Sequence, residues 1–538
     1  MEKRLIIAVA VSFFILMAFQ FFGPKKSYQK TPAAPSPAAR TEAERPIEPQ
    51  NEYEPAATGS GELETAASAG EETRIETENF DLVFTDRGGS LKKLYLKKYQ
   101  DKEKEELLLS RERSGRRPFT VTSPVVKGLG TGKYRIKTQG GGLGYIITKP
   151  GQLELRKDFK FYKSSNIIDL EISAKNLSNN TITFSYEMVG PSGLVGTSRV
   201  AGRSFLQADS LIDGKVWKVK STKGLKERAG NIIWSGLKNR YFTMIVKPFS
   251  MLRSVAVEQT PDKNLDTFLN SQQMSLAPGE VNTDRFLFYA GPLDEKHLEQ
   301  IGYDMNLIVD YGFFGGVSKA LLAVLRFFHA GVRNWGVAII LLTLLINLIL
   351  FPLTIKSFTS MHQMKKIQPH MQKLKELHKD NPQKLNKEMM ELYKKYNVNP
   401  LGGCLPLLLQ MPIFIALYQG LMRSIELKGA NFLWIKDLSS PDAVPIPFTL
   451  PLLGNSINIL PLLMVGMMFV QQKISQGLTG GAVTAEQAQQ QKMMMFIFPL
   501  FFGFLFYNMP SGLVLYWLTN TILMTTEQTF ISKRMGSN

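Results

Sequence analysis

Cysteine is almost missing from this 538-residue chain: Cys404 is the only one. That excludes an intramolecular disulfide and a thiolate metal cluster. Cys404 follows Leu401-Gly402-Gly403 beside an apolar run and reads as a small hydrophobe. Residues 77–292 show no convergent set of carboxylates and histidines, and His297 just beyond is the nearest histidine of note. No metal site, cofactor or enzymatic activity is therefore expected. Acidic residues are also scarce relative to basic ones, with 64 Lys+Arg against 46 Asp+Glu and a net charge of +18. The imbalance is local. Residues 27–78 carry eleven Glu against four Lys or Arg, whereas residues 356–400 carry ten Lys against four acids. Cations flanking apolar spans mark a cytoplasmic face. Anionic lipid accounts for such a surplus; a ribosomal or other RNA surface is the alternative, and no specific nucleic acid is expected.

Apolar length is what the chain has in quantity. Residues 5–22 form an uncharged run of eighteen behind a short basic start. The run ends in Ala18-Phe19-Gln20-Phe21-Phe22, too bulky for signal cleavage, so residues 1–26 read as an uncleaved anchor with its N-terminus inside. Residues 27–76 are rich in Pro, Ala and Glu and cannot bury enough surface to fold; they read as a disordered tether. Residues 77–310 turn to short alternating runs broken by turn residues, the pattern of a large β-sandwich followed by a C-terminal helix. Within it, runs at 167–174 and 181–188 around Asn176-Leu177-Ser178-Asn179-Asn180 predict a hairpin. The domain reads as scaffold or docking module more than as a ligand-binding one. Residues 311–334 hold a helix with Phe313, Phe314, Val317, Leu321, Val324, Leu325 and Phe328 on one arc, suited to the headgroup plane or to packing on the sandwich.

Spans are expected at 335–354, 401–422, 450–470, 493–509 and 512–530, making six with the anchor. The fold class is thus a polytopic α-helical membrane protein with an outside β-sandwich. An inside start leaves both termini in the cytoplasm, and the lysine bias agrees: the inside loop 356–400 has ten Lys or Arg and the outside loop 423–449 has three. Within 356–400, Met361, Met364, Ile367, Met371, Leu374 and Leu377 recur at helical spacing. After the turn Asp380-Asn381-Pro382, Leu385, Met389, Leu392, Tyr393 and Tyr396 form a second stripe, so a two-helix hairpin is expected. Its methionines fit either a soft core or a tolerant surface for apolar clients, with Lys365, Lys366 and Lys373 alongside. Residues 532–538 form a short basic tail.

Several motifs carry a resemblance. They are Asn399-Pro400-Leu401-Gly402-Gly403-Cys404-Leu405-Pro406, then Gln410-Met411-Pro412-Ile413-Phe414, then Pro510-Ser511-Gly512-Leu513-Val514-Leu515-Tyr516-Trp517 with Asn520. Pro352-Leu353-Thr354 and, in the sandwich, Trp234 with Arg240-Tyr241-Phe242 add to them. In these the chain resembles the YidC family of membrane-protein insertases, in the form with a large periplasmic domain. The resemblance implies a non-enzymatic insertase and chaperone of the cell inner membrane. It also implies a five-span core with a hydrophilic groove open to cytoplasm and lipid. Its partners would be nascent membrane proteins, the Sec translocon (SecYEG and SecDF), anionic lipids and, weakly through the cytoplasmic loops, the ribosome.

The residues themselves supply a candidate groove. Thr343, Asn347 and Thr354 share one helix face, and so do Tyr516, Thr519, Asn520 and Glu527. Gln410 lies inside the second of the five spans, and Trp517 adjoins Tyr516. Polar side chains at such depth line a water-filled cavity or bond neighbouring helices together; three spans so equipped favour the cavity. The chain departs from the family at Asn347, where the usual groove arginine is replaced by a neutral amide, so hydration rather than fixed charge is the expected device. A transporter lacks support, because no inverted repeat and no paired intramembrane acids are found. A carbohydrate enzyme lacks its carboxylate pair.

Overall fold

The computed structural model describes residues 70–99, 116–139, 141–194, 205–261, 263–378, 381–396, 398, 405–450, 454–479 and 485–536. The expected anchor, nearly all of the tether, and Pro400, Gly402, Gly403 and Cys404 lie outside them.

The first half is antiparallel β structure. A nine-stranded sheet runs edge to edge through Lys215–Val219, Gln207–Ile212, Ile232–Lys238, Phe242–Pro248, Val281–Pro292, Ile167–Asn176, Leu153–Phe161, Gly142–Lys149 and Arg135–Gln139. Strict alternation builds it: in Leu153–Phe161 every odd-numbered side chain is buried, as a half-buried pleat requires. A five-stranded sheet (Lys226–Ala229, Leu252–Gln259, Leu265–Ser271, Glu187–Val189, Val121–Thr122) and a three-stranded one (Glu72–Glu76, Phe80–Thr85, Ser90–Leu96) complete the domain. All three feed one core: Phe84 stacks near Phe159 and Phe119 meets Phe288 edge-on at 4.9 Å.

Two expectations change here. The strand Glu72–Glu76, paired to Phe80–Thr85, lies inside the stretch assigned to the tether. The predicted 167–188 hairpin is not formed. Ile167–Asn176 pairs with Leu153–Phe161 and Val281–Pro292, while Ile182–Phe184 pairs with Met274–Leu276 and Glu187–Val189 with Leu265–Ser271. The cause is Asn176. Its side chain accepts from Ser178 N at 2.8 Å and donates to Asn180 O and Leu276 O at 2.8 and 2.9 Å, turning the chain out of one sheet toward the other.

The sandwich buries charge. Lys157 is fully buried, and its Nζ donates to the carbonyls of Gly88, Gly89 and Phe119 at 2.6, 3.2 and 2.6 Å. Burial pushes its ammonium down to about 7.

Helix α1 (Glu295–Ile301), capped by Asp294, covers the outer face of the nine-stranded sheet around Trp234 and Tyr289. Helix α2 (Gly315–Val332) follows. It packs neither on the sandwich nor free of the protein. Its buried Leu322 and Leu325 face the helical core, and Gly420 lets it approach closely, since a Cβ there would stand 2.8 Å from Ser318 Oγ. Phe313 and Phe327, at 86% and 74% exposure, point away.

Helix α3 runs unbroken over Trp335–Leu377 through Pro352 and Pro369, so the expected span and the first arm of the cytoplasmic hairpin are one rod. At 1.5 Å per residue its 43 residues reach about 65 Å, twice a ~30 Å hydrocarbon layer. Among the described residues it is the one helix long and apolar enough to cross a membrane. Helix α4 (Pro382–Lys395) begins at the Asn381 cap, and Tyr396 closes the hairpin against His370. Of the hairpin residues, Met361, Met364, Met371 and Met389 are half-buried, and Lys365, Lys366 and Lys373 are exposed. The remaining helices are α5 (Leu405–Leu421, containing Pro406 and Pro412), α6 (Ile459–Thr479), α7 (Ala485–Phe506) and α8 (Ser511–Gly536). The helix expected from 450 starts instead at Ile459. Before it, Gly454–Ile457 pairs with Val444–Leu450 as a small hairpin.

Candidate functional site

The six polar and aromatic groove candidates, scattered over 178 positions of sequence (343 to 520), converge in the helical core. Asn347 (α3) donates through Nδ2 to Asn520 Oδ1 (α8) at 3.0 Å and to the carbonyl of Thr343 at 2.8 Å. Gln410 (α5) donates through Nε2 to the Tyr516 hydroxyl and to Asn520 Oδ1 at 3.4 Å. Thr343 bonds back to Ile339 O at 2.7 Å. Trp517 meets Phe414 edge-on at 4.8 Å and stacks on Phe502 at 5.4 Å, roofing the cluster. None of the six is more than 9% exposed.

The sequence favours a wet cavity for these residues over interhelical bonding. The structure shows them closed on one another, with Asn520 Oδ1 shared between the amides of α3 and α5. Buried polar atoms satisfied in this way hold three helices in register. All partners are neutral, so each can be exchanged for another amide, hydroxyl or water without leaving a bare charge in a low dielectric.

A polar seam continues along the same helices. Thr354 and Ser357 on α3 and Thr521, Thr525 and Gln528 on α8 are all buried, and Gln528 bonds Ser475 of α6 at 2.8 Å. Thr354 was visible from its helix face. Ser475, Thr521, Thr525 and Gln528 were missed. Ser475 falls within a stretch expected to be loop, and Gln528 would have been found only by extending the spacing from Asn520 by eight residues.

Two of the structural motif residues, Pro510 and Gly512, act at the start of α8. Pro510 O caps the first turn of α8 by accepting from Leu513 N and Val514 N. Gly512 N donates to Leu438 O at 2.9 Å, and a Cβ at Gly512 would crowd that oxygen at 3.1 Å. A cleft of about 490 Å³ opens elsewhere, where the sandwich meets Ile425 and Glu426, and is lined by Asn79, Lys98, Asn166 and His297; it is separate from the amide cluster. Among the described residues no group of three or more His, Cys, Asp or Glu could hold a metal ion.

Comparison with known proteins identifies the scaffold. A family model described as "60Kd inner membrane protein" matches residues 327–538, and one described as "YidC periplasmic domain" matches residues 72–324. The membrane protein insertase YidC of Geotalea uraniireducens (strain Rf4) is 32% identical over 561 residues, covering 100% of each chain. That of Pelobacter propionicus (strain DSM 2379 / NBRC 103807 / OttBd1) is 34% identical and covers 99% of each. A solved structure described as an active YidC insertase with its first transmembrane domain resolved aligns over 88% of this chain and 93% of its own, at 19% identity and TM-score 0.36. With its β-rich first half and buried polar helical core, the chain belongs to the YidC family of inner-membrane protein insertases, a non-enzymatic family that carries a periplasmic domain.

Proposed function

We propose that this protein inserts and helps fold inner-membrane proteins, alone or beside the Sec translocon, and that the cluster of Asn347, Gln410, Tyr516 and Asn520 is the closed form of its intramembrane groove. The one observation that carries the reading is the shared acceptor Asn520 Oδ1, which joins three helices through neutral donors only. Bringing a client charge to mid-membrane costs about 2.5–3.5 kcal/mol per residue on the translocon scale. Parting the helices exposes four polar side chains and the seam toward Ser357 and Gln528, and these, with entering water, offset that cost. The client's apolar segment meanwhile slides along the exposed Leu344, Leu348 and Ile349 of α3 into lipid.

In this reading six spans, including the anchor at 1–26, place both termini and the 356–400 hairpin in the cytoplasm and the sandwich in the periplasm. Nascent chains meet the half-buried methionines of the hairpin first. Its exposed Lys365, Lys366 and Lys373 face anionic lipid and the ribosome.

Complementation of an insertase-depleted cell by Asn347→Leu/Asn520→Leu tests this. The pair deletes donor and acceptor together, so folding is retained while the polar surface is lost. Charged-tail clients should accumulate uninserted. Insertion at the parent rate would remove the groove from the mechanism.

A further inference from the structure

One cation ties the two halves of the molecule together. Arg240 lies at the tip between the strands Ile232–Lys238 and Phe242–Pro248, in a turn fixed by Asn239 Oδ1, which accepts from Tyr241 N and Phe242 N at 2.9 and 2.8 Å. It is 2% exposed, and its guanidinium sits over the Tyr241 ring at 4.6 Å. Among the described residues no carboxylate bonds it. Its Nε donates to Met422 O at 2.6 Å and its Nη2 to Ser439 O at 3.0 Å, 182 and 199 residues away. Burial lowers its affinity for the proton, with Tyr241 and Asp437 opposing; an arginine stays charged regardless.

Both acceptors belong to the machinery of the core. Met422 O follows the last turn of α5, whose final carbonyls lack helical partners and carry the negative end of the helix dipole; α5 is the helix that delivers Gln410. Ser439 sits in a loop that grips the start of α8. Leu438 O accepts from Gly512 N at 2.9 Å, and Ser440 O accepts from Ser511 N at 2.8 Å. Helix α8 delivers Tyr516 and Asn520. A single planar fork therefore binds the end of α5, which brings Gln410, and the loop that grips the start of α8, which brings Tyr516 and Asn520, a geometry that suits the guanidinium.

We propose that Arg240 is a positioning residue for insertion: through it the periplasmic sandwich sets the relative height and spacing of α5 and α8, and so the closed alignment of Gln410 with Tyr516 and Asn520. The inference rests on the groove reading above. Supporting contacts surround it. Lys218 donates to Asp310 Oδ2 at 2.5 Å, Arg326 bonds Glu426 at 2.7 Å, and Lys319 pairs with Glu295. These pairs are half-exposed and individually weak; Arg240 is the buried one.

The sole cysteine makes the test direct. In a Cys404→Ser background, spin labels at Val281→Cys on the sandwich and Leu433→Cys on the outer loop, both exposed, report the separation of the two bodies in the full chain. The parent should give one narrow distance. Arg240→Met should broaden or shift it and slow charged-tail insertion by about fivefold, the equivalent of about 1 kcal/mol; Arg240→Lys, a point charge without the fork, should restore part of both. If Arg240→Met does not accumulate, Asp437→Ala serves instead. It frees Ser439 N from Asp437 Oδ1, which it meets at 2.8 Å, without touching the sandwich, and should produce the same two changes. An unchanged distance and unchanged insertion in the accumulating variant overturn the proposal. The groove reading fails separately: Asn347→Leu/Asn520→Leu should abolish insertion while keeping the narrow distance, and if insertion survives there yet falls in Arg240→Met, the clamp stands without the groove.

Discussion

The sandwich and the helical core both bury polar groups, but of different kinds. The sandwich encloses ions: Lys157, Lys238, Arg240, Asp209 and Asp284 are all less than a tenth exposed. In the core helices α3, α5 and α8 the buried polar residues are Thr, Ser, Asn and Gln. A buried ion must keep its partners, because stripping one leaves a charge or several carbonyls in a low dielectric. A buried amide loses roughly 0.6–2 kcal/mol when its bond is broken, which water or a client can replace. The sandwich is therefore held by ions and the core by neutral bonds that are cheaper to exchange, which is what the proposed groove requires.

The largest effect tests the locked side. Lys157→Met leaves the carbonyls of Gly88, Gly89 and Phe119 without their donor, and the sandwich should lose about 3 kcal/mol or more in a denaturant melt. A loss below about 1 kcal/mol would mean that the carbonyls find other donors and that the ion is not a lock.

Next comes the core. Asn520→Leu removes the acceptor common to Asn347 and Gln410 and should cost about 1–2 kcal/mol in a detergent unfolding titration. Adding Asn347→Leu should cost less than the sum of the two single changes, because donor and acceptor then leave together. A cost for Asn520→Leu equal to that of Lys157→Met would erase the distinction between the regions.

The smallest effect lies at the joint. Burial alone would raise the Asp310 carboxyl, but the Lys218 ammonium and the Gly312 amide hold it well below the usual carboxylate range. A depressed acid stabilises fully above its unfolded value near 4 and loses that stability as pH falls below it. The label separation should therefore stay constant from pH 8 to about 5 and change only on further acidification. A transition between pH 5 and 7 would contradict this assignment.

Much of this contrast was legible beforehand. Helix-face spacing puts Thr343, Asn347, Tyr516 and Asn520 on faces that the structure brings together, and Gln410 is conspicuous by depth. Pairing across helices was not legible, because nothing in a spacing says which amide meets which. The strand at 167–176 follows from the alternation over 167–174. Its partners do not, since Asn176 redirects the chain through side-chain bonds that no hydropathy pattern records. Arg240 stood out as a motif residue, but its role could not be read there: both of its acceptors are backbone carbonyls, and every residue has one.

The unbroken course of α3 has a mechanical corollary. From Asn347 to its last residue Leu377 the rod spans thirty residues, about 45 Å, and most of that length lies beyond the amide cluster. About Pro352, twenty-five residues or about 37 Å from Leu377, a 10° swing displaces the far end by roughly 6.5 Å, while the near end turns by the same angle over a much shorter radius. Pro352, where one backbone bond is already forgone, is the natural pivot. A push on the distal arm thus arrives at Asn347, five residues from that pivot, as a displacement of about 1 Å with the force multiplied.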